Sequence, residues 1–118
     1  MKIKDIIKAL EAEVVSGDGS LLDKGIESAC GSDLMSDVLS FIKPGALLLT
    51  GLTNVQVVRT AEMADIPAIC FVRGKQPPED TIKLAKKKNI VLLSTQYTMY
   101  ESCGILYTNT LRPCAINK

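Results

Sequence analysis

The sequence predicts one α/β domain with a largely parallel sheet flanked by helices. Three observations carry that expectation. From Ala46 onward, short apolar segments alternate with helix-patterned ones, the rhythm of strand, crossover helix and next strand. The spacing of Ala, then Asp or Asn, then Ile recurs at an offset of 24 residues, in Ala61 to Ile66 (A-E-M-A-D-I) and Ala85 to Ile90 (A-K-K-K-N-I), each time leading into an apolar segment. A crossover of that length holds one helix, which is what parallel neighbours require. The 118 residues are enough for one packed core and too few for two.

Taken in order, residues 2 to 10 place Ile3, Ile6, Ile7 and Leu10 at helical spacing, with Lys2, Lys4, Asp5 and Lys8 opposite. Glu13 to Ser16 reads as a strand ended by the turn Gly17-Asp18-Gly19. Gly25 to Cys30 is extended, and residues 1 to about 31 are expected to supply irregular structure and edge strands. Ser36 to Ile42 follows as a helix, with Ser36 as its cap and Lys43-Pro44-Gly45 as its stop. Ala46 to Thr50 is a strand; Thr53 and Gln56 form a capping box for a helix through Met63. Pro67 to Val72 is the next strand, and a helix opens at Pro77-Pro78-Glu79-Asp80 and closes at Lys86-Lys87-Lys88. Ile90 to Leu93 is the last apolar strand, followed by Ser94-Thr95, with Thr95 as a cap, and a helix to about Tyr107. Residues 109 to 118 form a tail of the single domain 1 to 118.

Composition excludes several activities. There is no histidine, so the usual general base near neutral pH and the commonest metal ligand are both missing. No catalytic set is assembled, and a non-catalytic role is expected, with no cofactor and no metal. The cysteines Cys30, Cys70, Cys103 and Cys114 contain no C-x-x-C pair and read as separate thiols, Cys70 buried, Cys30 and Cys103 beside glycines where a thiol can be reached. Their convergence on an iron–sulfur cluster or metal stays open as the alternative. A formal charge of +1 offers no field for a nucleic-acid backbone, and no apolar run approaches the ~20 residues that cross a bilayer. The expected setting is cytoplasmic, without nucleic-acid or membrane partners.

Parallel strands bring their carboxyl ends to one rim, where helix amino termini favour anions. Three loops are expected there: Thr50-Gly51-Leu52-Thr53-Asn54, Arg73-Gly74-Lys75 and Ser94-Thr95-Gln96. They combine hydroxyls, an amide, glycines that let a backbone come close, and two cations. Thr50, Gly51, Thr53, Asn54, Arg73, Gly74, Lys75, Ser94 and Thr95 are the candidate binding residues for a small anionic or nucleotide-like ligand. Neither a Walker A motif nor G-x-G-x-x-G is present. A secondary candidate is Ser32, Asp33, Ser36 and Asp37, whose carboxylates four apart would share one side of a helix and could bind a hard cation, although capping alone selects the same residues and is the favoured reading. Apolar residues around Leu34, Met35, Val38 and Phe41 offer a subunit contact, so a homo-oligomer, a dimer first, is expected.

Four blocks together resemble the DRTGG-domain family: Ser32 to Leu39, Gly45 to Asn54, Arg59 to Asp65, and Phe71 to Lys75. The opening pattern, Ile3 to Asp18, also resembles the start of the N-terminal domain of HPr kinase/phosphorylase, a fold related to the N-terminal domain of Mur ligases. The resemblance covers about residues 2 to 108. It implies a small α/β regulatory domain, usually attached to phosphotransacetylases or CBS-containing pyrophosphatases and also standing alone, then often near iron-hydrogenase genes. It implies no kinase activity, because the P-loop kinase half has no counterpart here. There is no contiguous D-R-T-G-G; Thr50-Gly51 and Arg73-Gly74 stand in what look like the corresponding loops. Two further readings remain: an accessory interaction subunit, or a metal- or iron–sulfur-handling protein of an anaerobic redox system.

Overall fold

The computed structural model describes residues 1–114; positions 115–118 of the expected tail lie outside the described residues. The chain runs α1 (Ile3–Ala9), β1 (Glu13–Ser16), a 3-10 turn (Gly19–Asp23), β2 (Ser28–Gly31), α2 (Met35–Phe41) and β3 (Leu47–Thr50). It continues through α3 (Val55–Met63), β4 (Ala68–Phe71), α4 (Glu79–Lys88), β5 (Val91–Ser94), α5 (Met99–Thr108) and β6 (Arg112–Pro113). One six-stranded sheet results, in the order β1-β5-β4-β3-β2-β6. Every pairing is parallel except β1 with β5.

The three central strands are apolar at nearly every position because both faces are covered. Leu47, Leu49, Ala68, Cys70, Val91 and Leu93 point to one face and pack with Ile3, Ile6 and Leu10 of α1 and Leu106 of α5. Leu48, Ile69, Phe71 and Leu92 point to the other and meet Val38 of α2, Val57, Val58 and Ala61 of α3, and Ala85 of α4. From β2 to β5 the chain advances along the sheet with its helices on the second face. At β5 it reverses, crossing back over the first face through α5 to place β6 against β2. Reversing direction while changing face keeps the crossover hand constant, which satisfies the strong right-handed preference.

The internal echo has a backbone cause. Asp65 and Asn89 are both left-handed, at φ 55° and 58°. The following Ile66 and Ile90 each donate N–H to Ala61 and Ala85, at 2.9 and 3.0 Å. Both motifs therefore end a helix with a left-handed residue and turn an apolar isoleucine into the next strand.

Several local expectations need correction. Ser36 lies inside α2, where its carbonyl accepts from Ser40 Oγ; the helix is entered from Leu34. Thr53 does not cap α3, which starts after Asn54 without a side-chain cap. Thr95 does not cap α5; Thr98 does, in a capping box with Glu101. The capping rule holds but the helix starts three residues later than expected, since Ser94 ends the strand and Thr95 is buried behind it. Within the first 31 residues, β1 is an edge strand, whereas β2 is an interior strand between β3 and β6. In the expected tail, Arg112–Pro113 pairs with β2 and Leu111 is buried.

Candidate functional site

The parallel registers set Gly31 beside Leu49, Thr50 beside Phe71, and Phe71 beside Ser94, so the strand tips finish along one rim. The loops after β2, β3, β4 and β5 all start there. The three predicted loops are brought together, and the loop after β2 joins them.

Asp33 links the two candidate groups. Its Oδ1 accepts from Thr50 Oγ1 at 3.1 Å and from Gly51 N–H at 2.6 Å. Thr50 Oγ1 in turn accepts from Leu52 N–H at 3.1 Å. One carboxylate oxygen thus satisfies a hydroxyl and a backbone donor on the next loop, a charge-assisted arrangement. Ser32 prepares this by accepting from Leu34 N–H at 3.0 Å, while its own N–H continues the β2–β3 ladder to Leu49. Asp33 therefore precedes α2, so Asp33 and Asp37 do not form the expected pair on one helix face. Asp37 is an exposed first-turn residue favourable to the helix dipole.

Arg73 and Gly74 are the two central residues of a tight turn closed by Lys75 N–H to Val72 O at 3.3 Å. Both are left-handed, at φ 59° and 68°. Such a turn suits glycine twice; holding arginine at the first position costs about 1 kcal/mol. The turn is pinned to the β5 loop by Arg73 N–H to Tyr97 O at 2.8 Å and Gly74 N–H to Thr95 O at 2.7 Å. A Cβ at Gly51 would lie 3.3 Å from Arg73 Nη2 and 3.4 Å from Asp33 Oδ1, so the guanidinium and carboxylate flank the bare Gly51 backbone. Arg73 and Lys75 are exposed and neither joins an ion pair among the described residues.

The remaining candidates divide. Asn54 is exposed at the start of α3. Thr53 contributes its carbonyl to Thr81 Oγ1 at 2.8 Å. Ser94 and Thr95 are buried, and their hydroxyls donate to Lys75 O and Leu10 O, both at 2.7 Å. They hold the rim together and are not free to donate to a ligand. Gln96, expected in the third loop but not counted among the binding residues, has its amide tip 2.7 Å from where a Gly74 Cβ would be, and sequence reasoning missed Tyr97, whose hydroxyl donates to Glu11 at 2.6 Å. That bond and the Glu11 charge push the Tyr97 hydroxyl above its ordinary pKa.

Five concavities of the described surface have none of Thr50, Gly51, Arg73, Gly74 or Lys75 in their walls. One of about 410 Å³ opens at the amino ends of the strands beside Lys24, Asp65 and Asn89, where Lys88 is already paired with Glu62 at 2.8 Å. One of about 650 Å³ runs along α5, and one of about 170 Å³ sits between α5 and β2–β6. The rim itself is an open surface of loop ends.

Of the cysteines, Cys70 is buried in the first-face core, and burial pushes its thiol up to about 12. Cys30 and Cys114 are half-buried and Cys103 is exposed on α5. Burial first, then the neighbouring Cys114 and Cys103, raises the Cys30 thiol, and partial burial raises Cys103. Among the described residues no three Cys, Asp or Glu side chains are grouped so as to hold a metal ion, which leaves the iron–sulfur alternative without a ligand set there.

The DRTGG-domain family matches residues 5–108, nearly the whole described chain and all four loops of the rim. The chain belongs to the DRTGG-domain family. No curated protein matches it. Among solved structures, this DRTGG domain is similar to the CBS and DRTGG domains of the regulatory region of Clostridium perfringens pyrophosphatase, complexed with its activator diadenosine tetraphosphate. The TM-score is 0.73 at 17% identity, over 94% of this chain and 47% of that one. The DRTGG domain described here thus spans about half the length of that chain, and the likeness is one of fold. No helix among the described residues is long and apolar enough to cross a membrane.

Proposed function

We propose that this DRTGG domain is a regulatory, ligand-sensing module that takes a small anionic, nucleotide-like ligand on the carboxyl rim of its sheet. The observation that carries the reading is Arg73: a cation without an ion-pair partner among the described residues, kept in a left-handed turn that glycine would occupy at lower cost, with its guanidinium beside the bare backbone of Gly51. Strain of that kind clusters where a side chain serves something other than folding. The rim also holds the sheet's switch point. β4 sends its helix to the second face and β5 to the first, and in open α/β sheets ligands gather where adjacent connections part. Arg73 and Lys75 would take the phosphate charge, and Asp33 and Asn54 would face hydroxyls or a base edge. The pyrophosphatase regulatory region, captured with a dinucleotide polyphosphate activator, supports the same ligand class.

The test is a thermal-shift and calorimetric panel of nucleotides and phosphorylated metabolites, diadenosine tetraphosphate included, against wild type and Arg73→Ala. At least one compound is expected to raise the melting temperature by several degrees, since ligand at a hundred times its Kd stabilises by about 2.7 kcal/mol. Arg73→Ala is expected to weaken that binding by tenfold or more, the loss of one charge-assisted hydrogen bond. A flat panel, or a variant that binds as well as wild type, refutes the assignment.

A second reading, an interaction subunit or homodimer, is favoured by the side of α2 turned to solvent. Leu34, Leu39 and Phe41 are 57%, 45% and 48% exposed, whereas of the residues expected in that contact Val38 is buried in the core and Met35 packs partly against it. If the face is a self-contact, light scattering will give a dimer mass for wild type and half of it for Phe41→Lys; equal masses remove it.

A further inference from the structure

β6 pairs with β2 in parallel, Ser28 opposite Arg112 and Ala29 opposite Pro113. One more step in that register, past the end of β6 at Pro113, would set Cys30 beside Cys114. Alternate residues of a strand share a face, so Ser28 and Cys30 project together. Cys114 Sγ lies 3.6 Å from Ser28 Oγ, which puts the Cys114 thiol on that same face. Neighbouring strands are about 4.8 Å apart, inside the roughly 4.4–6.8 Å between the Cα atoms of disulfides. A parallel pair holds its Cβ atoms about 1 Å wider than a disulfide's ~3.8 Å, so closure needs one strand to move by that amount. β6 can do so: it is an edge strand of two residues, both exposed. The other two thiols are placed differently. Cys70 is in the core, and Cys103 Sγ lies 3.1 Å from where a Gly31 Cβ would be, on the Ala29–Gly31 face that packs against α5.

We propose that Cys30 and Cys114 form an oxidisable thiol site that closes to an intramolecular disulfide by exchange with a low-molecular-weight disulfide such as oxidised glutathione. The Cys114 thiol, beside the short edge strand, loses its proton and attacks one sulfur of oxidised glutathione. That S–S bond breaks and one glutathione thiolate leaves. Cys30, deprotonated in turn, attacks the Cys114 sulfur of the mixed disulfide and expels the second glutathione. The two protein protons end on the two glutathiones, so the pair is oxidised by two electrons and the small disulfide is reduced by the same two. The bond would fasten β6 to the strand that leads directly into Ser32 and Asp33.

The experiment equilibrates the reduced full chain with oxidised glutathione, alkylates the remaining thiols and maps them by peptide mass spectrometry. The expected product is a monomer lighter by two hydrogens, with two alkylatable thiols instead of four, a bond mapped to Cys30 and Cys114, and full reversal by dithiothreitol. Cys103→Ser should close the bond as wild type does, while Cys30→Ser and Cys114→Ser should stop at a glutathione adduct. Four alkylatable thiols after equilibration, a bond that maps to Cys103, or only disulfide-linked dimers would each overturn the assignment. None of these readouts depends on the rim binding a ligand.

Discussion

At Asp33 one carboxylate oxygen serves two donors on a neighbouring loop, the Thr50 hydroxyl and the Gly51 N–H. Thr50 is fully buried, so removing the acceptor leaves a hydroxyl that water cannot easily reach. Asp33→Ala is therefore expected to lower the urea midpoint by the equivalent of about 1–2 kcal/mol at unchanged slope, and Asp33→Asn, which keeps an acceptor, by less. A change within error for both would mean the clamp holds nothing together. This role was not legible in the sequence. Seventeen positions separate Asp33 from Thr50, and only the β2–β3 register makes them neighbours. The local pattern Ser-Asp-x-x-Ser-Asp read instead as a helix start, because capping and loop clamping select the same short polar side chains. Arg73 shows the converse. Its identity was singled out from sequence, but the left-handed backbone beneath it is visible only in the fold.

Helix endings were the most readable elements, since their signals act within one turn. The echo of Asp65 and Asn89 marks two left-handed terminations, and Asn89 at φ 58° is a site where the side chain decides the cost. Asn89→Gly is expected to leave stability unchanged or raise it by a few tenths of a kcal/mol, whereas Asn89→Ala should cost about 1 kcal/mol, because only a residue that tolerates φ > 0 ends the helix cheaply. Thermal melts of the three proteins check this; a more stable alanine variant would show that the turn relaxes out of the left-handed region. Helix starts were less readable. Thr53, Thr95 and Thr98 all offer a capping hydroxyl, and Thr98 alone of the three is used as one. Burial of Thr95 against Leu10, a partner at the far end of the chain, overrides the local preference.

For the molecule as a whole, Cys70 ties stability to pH. Its thiol ionises near 9.0 when exposed and near 12 in the folded core. Between those values the native chain keeps a proton that the unfolded chain has lost, so stability present below about pH 9 falls as pH rises toward 12. Cys70→Ala should cost stability at pH 7 through the cavity it leaves, yet lose less of what remains between pH 9 and 11 than wild type does; parallel denaturation curves at both pH values for the two proteins would contradict this. The sequence by itself determined the alternation of apolar strands and helices, the single α/β domain and the shared rim of strand tips, because periodicity and turn chemistry act over a few residues and a short right-handed crossover admits few arrangements. Tertiary structure alone decided that β2 is interior, that α5 carries the chain back across the opposite face, that Asp33 meets Thr50, and that Cys114 comes to lie against Ser28 of β2. Each of these rests on pairing between segments far apart in the chain, and such pairing is selected by the burial of whole faces, which no local window contains.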